Sequence, residues 1–168
     1  GRGIAPLELK LPFELAEPVL AVGAHMKNTI TLAWGNRAVV SPHIGDMESA
    51  RSHVIFEAML KDLQKLYNIN AGRILCDAHP SYATTRWADK QSLPVHRSYH
   101  HHAHASAAYY EARTSDEVIA FAWDGTGYGE DGTIWGGETL LGKPGLWERV
   151  ASMRPFYLPG GEKAAREP

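Results

Sequence analysis

The sequence predicts a layered α/β fold, and three observations carry that expectation. Three short β-like runs stand at 19–22, 29–34 and 37–41. A long amphipathic segment follows, and after it short apolar runs alternate with helix-friendly stretches. Antiparallel strands followed by alternating helices and strands make an α/β layered domain.

Taken in order, residues 1–18 hold Pro6, Pro12 and Pro18 without clear periodicity, which predicts a linker or an arm along the surface. Gly35-Asn36 between the second and third β runs marks a tight hairpin, although it reverses the commoner Asn-Gly order. Asp46 is placed to cap a helix, with Glu48 in its first turn. Ile55, Met59, Leu63 and Leu66 recur at helical spacing, with Phe56, Leu60 and Tyr67 beside them. That helix spans about 47–67 and ends in the polar Asn68-Ile69-Asn70. A buried strand is expected at 73–77, a helix near 84–90, a strand at 94–98, and a helix from His100 to Ala112. The order is βββαβαβα. Strands at 117–123, 133–141 and 147–157 have no helices between them and echo the meander at 19–41. The expected organisation is an arm at 1–18, one lobe at 19–115, and the start of a second at 116–168.

Bulk properties narrow the function classes. At 168 residues the chain can bury one sizeable core or two small ones. Its 44% hydrophobic and 21% charged residues suit a soluble globular protein. A formal net charge of -2 lacks the electrostatic footprint of a nucleic-acid binder. With no membrane-length apolar run and no signal peptide, no membrane partner is expected. One cysteine, Cys76, fits a reducing, cytoplasmic location. The ends, Gly1-Arg2-Gly3 and Arg166-Glu167-Pro168, read as cuts within a longer protein.

Four stretches carry candidate chemistry. The first is His100-His101-His102-Ala103-His104. On a helix, His100 and His104 stand at i and i+4, with Cβ atoms about 5–6 Å apart. That spacing suits two-point ligation of a divalent metal. His101 with His104 is a weaker pair, and His102 points elsewhere. A plain polar helix start is the competing account, but four histidines in five positions after a strand favour ligation. Two imidazoles rarely hold a metal alone, so an acidic ligand is expected.

The second runs from Trp123-Asp124-Gly125 to Gly132. Gly127, Gly129 and Gly132 match a dinucleotide pattern, but the β-like Thr133-Ile134-Trp135 follows where a helix is needed. As a calcium loop from Asp124, it lacks carboxylates at Thr126, Tyr128 and Trp135. What remains is a glycine-rich turn between strands with Asp124 at its entrance, able to offer backbone N–H groups to phosphate. A plain hairpin is the competing account. The third is Gly23-Ala24-His25-Met26-Lys27-Asn28-Thr29, a turn whose lysine could meet phosphate oxygens or could simply be exposed. The fourth is Cys76-Asp77-Ala78-His79, at a strand's carboxyl end. Cys76 reads as a small buried hydrophobe rather than a nucleophile. Asp77 and His79 are better placed to meet a ligand, against a structural turn as the alternative.

Together these stretches resemble the HypF family, the carbamoyltransferases of nickel–iron hydrogenase maturation. The resemblance rests on Gly23 with Lys27-Asn28-Thr29, Ser41-x-His43-Ile44-Gly45-Asp46, and Cys76-Asp77-x-His79-Pro80-x-Tyr82-x-x-Thr85-Arg86. It continues through the histidine run, the long string from Asp124 to Glu138, and Leu158-Pro159-Gly160-Gly161. It implies a ribonuclease H-like, actin-like ATPase first lobe of βββαβα order, plus the first strands of a second lobe. It implies a transferase, also described as a ligase, that activates the carbamoyl group of carbamoyl phosphate with ATP. The acceptor would be the C-terminal cysteine thiolate of a partner maturation protein, on the route to the cyanide ligand of the hydrogenase iron. By resemblance, His100, His104 and Asp124 match metal ligands, for zinc or iron with magnesium as a further ion, and are the catalytic candidates. Lys27, Asn28 and Thr29 match a phosphate loop, and Gly125, Thr126, Gly127, Tyr128 and Gly129 match the nucleotide-facing loop. The remaining domains of a longer chain are expected partners, and the isolated fragment is expected to be inactive. Two alternatives stay open: a non-catalytic metal- and phosphate-binding or docking module, and a threonylcarbamoyl-transfer relative.

Overall fold

A computed structural model describes residues 5–157 and Pro159. Of the Leu158-Pro159-Gly160-Gly161 motif only Pro159 is therefore described, and both chain ends lie outside the described residues. The chain divides into two compact units, Gly1–Ser98 and Tyr99–Pro168.

The first unit is a six-stranded sheet with helices. β2 (Val19–Ala21), β3 (Thr31–Trp34) and β4 (Arg37–Val40) form an antiparallel meander. Trp34 pairs with Arg37 across the two-residue turn, and Gly35 there takes a φ of 52°. After helix α1 (Ala50–Tyr67), β5 (Arg73–Asp77) lies parallel to β2. After α2 (Ala83–Ala88), β6 (Val95–Ser98) lies parallel to β5. The sheet order β1-β4-β3-β2-β5-β6 contains the ribonuclease H-like arrangement, three meandering strands with two parallel ones added beside the first.

Within the arm expected at 1–18, β1 (Leu7–Lys10) adds an antiparallel edge to β4. All four of its residues are exposed, and its apolar–polar alternation, Leu7-Glu8-Leu9-Lys10, is too short to stand out between Pro6 and Pro12. Backbone bonds from Leu11 N–H to Asn36 O and from Leu15 N–H to Gly35 O pin the following segment to the hairpin turn.

The long helix starts at Ala50 instead of 47, because Ser49 is its cap: Ser49 Oγ accepts the Ser52 N–H at 3.1 Å. Asp46 is occupied elsewhere, accepting the Lys27 N–H at 2.8 Å, and Glu48 precedes the first turn. At the other end Asn68 adopts left-handed backbone with φ 53° and its N–H closes on Gln64 and Lys65 carbonyls. The buried face is Phe56, Leu60 and Leu63, at i, i+4 and i+7, while Ile55 and Leu66 are exposed. That face packs on Leu20, Val22, Ile30, Leu32 and Ile74 of the sheet. Burying each such side chain contributes about 1.5–3 kcal/mol. Phe56 also meets Trp87 edge-on at 5.4 Å.

The second unit joins helix α3 (His100–Ala112) to an antiparallel meander of β7 (Val118–Tyr128), β8 (Ile134–Gly142) and β9 (Glu148–Ser152). Its core gathers Ala105, Trp135, Leu140 and Trp147. Ser106 links helix to core, donating to His102 O at 2.7 Å and accepting from Trp147 Nε1 at 2.9 Å. β9 is shorter than the expected 147–157, since its pairing with β8 ends at Ser152 opposite Glu138. β7 is longer than expected and absorbs much of the presumed loop. Among the described residues, no helix is long and apolar enough to cross a membrane.

Candidate metal centre

Asp124 owes its position to a break in register. Trp123 pairs with Gly137, but the next pair is Gly127 with Trp135. Residues 124–126 therefore stand opposite Gly136 alone, a bulge that turns them out of the ladder. A Cβ on Gly136 would lie 3.2 Å from Gly125 O, so glycine suits the crowded side of the bulge. Asp124 Oδ1 accepts the Gly125 N–H at 2.6 Å, which fixes the carboxylate. Its Oδ2 meets the histidines of α3.

His100 Nε2 contacts Asp124 Oδ2 directly, and His104 Nε2 lies 3.2 Å from the same oxygen. The two Nε2 atoms are 3.1 Å apart, an approach that the i, i+4 spacing permits. These three residues are the metal-capable group among the described residues, with ligand atoms all within 4.8 Å of one another. In a tetrahedral zinc site, ligand atoms at about 2.0–2.1 Å from the ion stand about 3.3 Å from each other. Two of the three separations are close to that, and the chemistry of two imidazoles with one carboxylate fits a small divalent cation. Partial burial works against a charge on Asp124, but the Gly125 N–H and the two imidazoles outweigh it and hold the carboxyl below its ordinary range. The carboxylate is thus anionic at neutral pH, as a ligand must be.

The histidine run is backed by a polar lock that sequence reasoning missed. His101 is fully buried, with no hydrogen-bond partner at either ring nitrogen among the described residues. Burial holds both His101 and His102 below the usual histidine range, so both are neutral near pH 7. Trp135 lies 6.0 Å from the His101 ring and donates its Nε1–H to Asp131 at 2.9 Å. Asp131 also accepts from Thr133 N–H, Thr133 Oγ1–H and Arg149. Arg149 covers the Trp135 face at 4.5 Å and pairs with the buried Glu138 at 2.8 Å. The spacing Asp131-x-Thr133-x-Trp135 was the available signal, an aspartate closing a turn onto its next strand.

Other expected nucleotide contacts are partly spent inside the chain. Gly125 N–H goes to Asp124, and Gly129 N–H to Thr133 O. Gly125, Thr126, Gly127 and Tyr128 belong to β7, and the turn proper begins at Gly129. Lys27, Asn28 and Thr29 lie in the first unit, between β2 and β3. Lys27 is exposed with a left-handed φ of 48°. Asn28 is buried and donates to Val22 O and Ala24 O at 3.0 and 2.9 Å, so it braces the loop. Gly23 must be glycine, because its φ is 69° and a Cβ would lie 2.5 Å from Thr29 O. Asp77 accepts the His79 N–H at 2.7 Å, and the His79 ring stacks on Tyr82 at 4.1 Å. Cys76 is buried, which raises its thiol pKa.

A family model described as the HypF Kae1-like domain matches residues 14–111. A second, described as the carbamoyltransferase Kae1-like domain, second subdomain, matches residues 120–168. Carbamoyltransferase HypF of Synechocystis sp. is 44% identical over 168 residues, covering 99% of this chain and 22% of that protein. Its namesake in Rhizobium leguminosarum bv. viciae is 36% identical over 167 residues, with the same two shares. The fold resembles a crystal structure of full-length HypF in its phosphate- and nucleotide-bound form, with a TM-score of 0.91 at 35% identity, covering 96% of this chain and 22% of that one. It also resembles the crystal structure of T.kodakarensis HypF, with a TM-score of 0.88 at 33% identity, covering 98% and 22%. The chain thus spans about a fifth of the length of these four proteins.

Proposed function

This chain belongs to the HypF Kae1-like domain family, and on that premise we propose that it is the part of a carbamoyltransferase that holds the metal and phosphates. The full reaction in this proposal moves a carbamoyl group from carbamoyl phosphate, activated with ATP, onto a cysteine thiolate of a hydrogenase maturation partner. The observation that supports it most is the convergence of His100, His104 and Asp124 from a helix and a strand bulge. The relatives it matches are named carbamoyltransferases, which favours this reading over a threonylcarbamoyl-transfer relative.

In the proposal His100, His104 and Asp124 hold a divalent metal, zinc or iron. When bound, that cation supplies charge stabilisation for a carbamoyl oxygen or a departing phosphate. Asp124 stays ionised and adds a carboxylate oxygen to the two Nε2 atoms as the third donor of the set. The exposed Lys27 ammonium offers a counter-charge for phosphate, while Asn28 keeps its loop in shape. Residues 125–129 are the proposed nucleotide-facing stretch of the second unit, with magnesium as a further ion. Buried Cys76 is withdrawn from nucleophilic work, consistent with a thiolate supplied by the partner. The lobe boundary is proposed near residue 115, with the acting protein cytoplasmic and using further domains of a longer chain.

The test is to place this 168-residue stretch in full-length Synechocystis HypF in place of its own. ATP-dependent thiocarboxamide formation on a cysteine-ended acceptor is then measured. Asp124→Asn and His100→Ala should each lower it about a hundredfold or more, the scale of one lost electrostatic contact in a transition state. Parent rates in both variants would remove the site from the chemistry.

A further inference from the structure

His101 is the one histidine of the run whose side chain is fully buried, and it bonds to nothing among the described residues through either nitrogen. What it does is fill space at one place. A Cβ on Gly127 would lie 2.6 Å from His101 Cε1, 2.7 Å from its Nδ1 and 2.9 Å from His100 Cβ. The ring therefore occupies the room that a side chain at Gly127 would need. His101 neighbours His100 on the helix, and Gly127 lies three residues beyond Asp124 on β7. The Trp135 indole closes the other side, itself held by Asp131 and Arg149.

We propose that His101 is a positioning residue, whose ring seated against Gly127 sets the spacing between α3 and β7 and so the meeting of His100 and His104 with Asp124. This rests on the metal reading only for its function, because the His100–Asp124 contact exists without an ion. With no bonded nitrogen, His101 acts through volume and shape. A flat ring of similar size should replace it, and a methyl group should not.

The full chain tests this with two readouts on His101→Ala and His101→Phe. The first is the imidazole nitrogen shift of His100 in the metal-free protein, which reports its contact with Asp124. The second is titration with cobalt(II), read by affinity and ligand-field absorption. His101→Ala should move the His100 shift toward that of a free imidazole and weaken cobalt binding about 10–100-fold, the usual cost of losing a supporting partner. His101→Phe should keep the parent shift and parent spectrum. Should His101→Ala fail to fold, Gly127→Ala makes the same displacement from the opposite side. The proposal is overturned if His101→Ala and Gly127→Ala both keep the parent shift. It is also overturned if His101→Phe fails as His101→Ala does, since the nitrogens would then matter. A parent that binds no cobalt ends the metal reading alone, and the His100 shift still decides the role of His101.

Discussion

His104 Nε2 and Asp124 Oδ2 stand 3.2 Å apart, though one is on a helix and the other in a bulged strand. Both are partly exposed, so no apolar packing forces the pair together. Together with His100 they put two nitrogen lone pairs and one anionic oxygen around a common point. Without a cation, the two imidazoles share at most one hydrogen bond between their facing Nε2 atoms. With one, all three groups are satisfied at once.

Metal content should follow from that geometry. Purified parent protein should carry or take up one zinc-like ion per chain. His100→Ala and His104→Ala should each weaken binding by a factor of about ten or more, since two ligands rarely retain a divalent ion. His102→Ala is the internal control, because its ring turns toward Tyr99 and Trp135. Elemental analysis after gel filtration reads the result. Equal metal in all four proteins would sink the ligand assignment.

Asn28 should matter to stability with no ligand present. Its amide bridges Val22 O and Ala24 O, and its side chain fills the space beside Gly23. Asn28→Ala takes a donor from the buried Val22 carbonyl and leaves the part-buried Ala24 carbonyl with the longer Thr84 Oγ1–H bond at 3.4 Å, a cost of about 1–3 kcal/mol. The urea midpoint of the first unit should fall accordingly. An unchanged midpoint would mean that the loop holds its shape without Asn28, leaving it free for phosphate.

The element order and the facing of His100 and His104 were legible because each rests on a local period. Helical spacing placed His100 beside His104, and apolar runs bounded by turns placed β2 to β6. Four features were hidden for physical reasons. β1 is only four residues long and wholly exposed, so its brief Leu7-Glu8-Leu9-Lys10 alternation was hidden between prolines. Ser49 displaced Asp46 as the α1 cap because Asp46 is drawn to a loop far away in sequence. The bulge at residues 124–126 depends on register against β8, which no single strand encodes. His101 looked like a weaker ligand, yet its place is decided by Gly127 and Trp135, tertiary neighbours beyond the reach of helical spacing.

Asp131 should make the second unit acid-sensitive. Thr133 Oγ1–H and N–H, then Trp135 and Arg149, hold its carboxyl far below the ordinary 3.8. Above the unfolded value both folded and unfolded states are ionised, and the stabilisation is fully present. As pH falls through that value the unfolded chain takes up a proton first, so the stabilisation drains away down to the folded value. Asp131→Asn removes this component. The gap between parent and variant urea midpoints should be widest near pH 6 and should narrow toward pH 2. A gap constant with pH would show that Asp131 acts through shape and not charge.

Cys76 should be silent toward thiol reagents while the first unit is folded. It sits among Ile74, Leu20 and Ala88 in the core, and burial raises the pKa of its thiol. The thiolate is the reactive form, so both access and ionisation oppose labelling. Maleimide labelling at neutral pH should therefore wait on opening of the unit, and its rate should rise with urea in step with the unfolding transition. Labelling of the native protein as fast as a free cysteine would place the thiol within reach of substrate. Slow labelling withholds the single cysteine of this 168-residue stretch, and any thiolate that accepts a carbamoyl group must then come from outside the stretch.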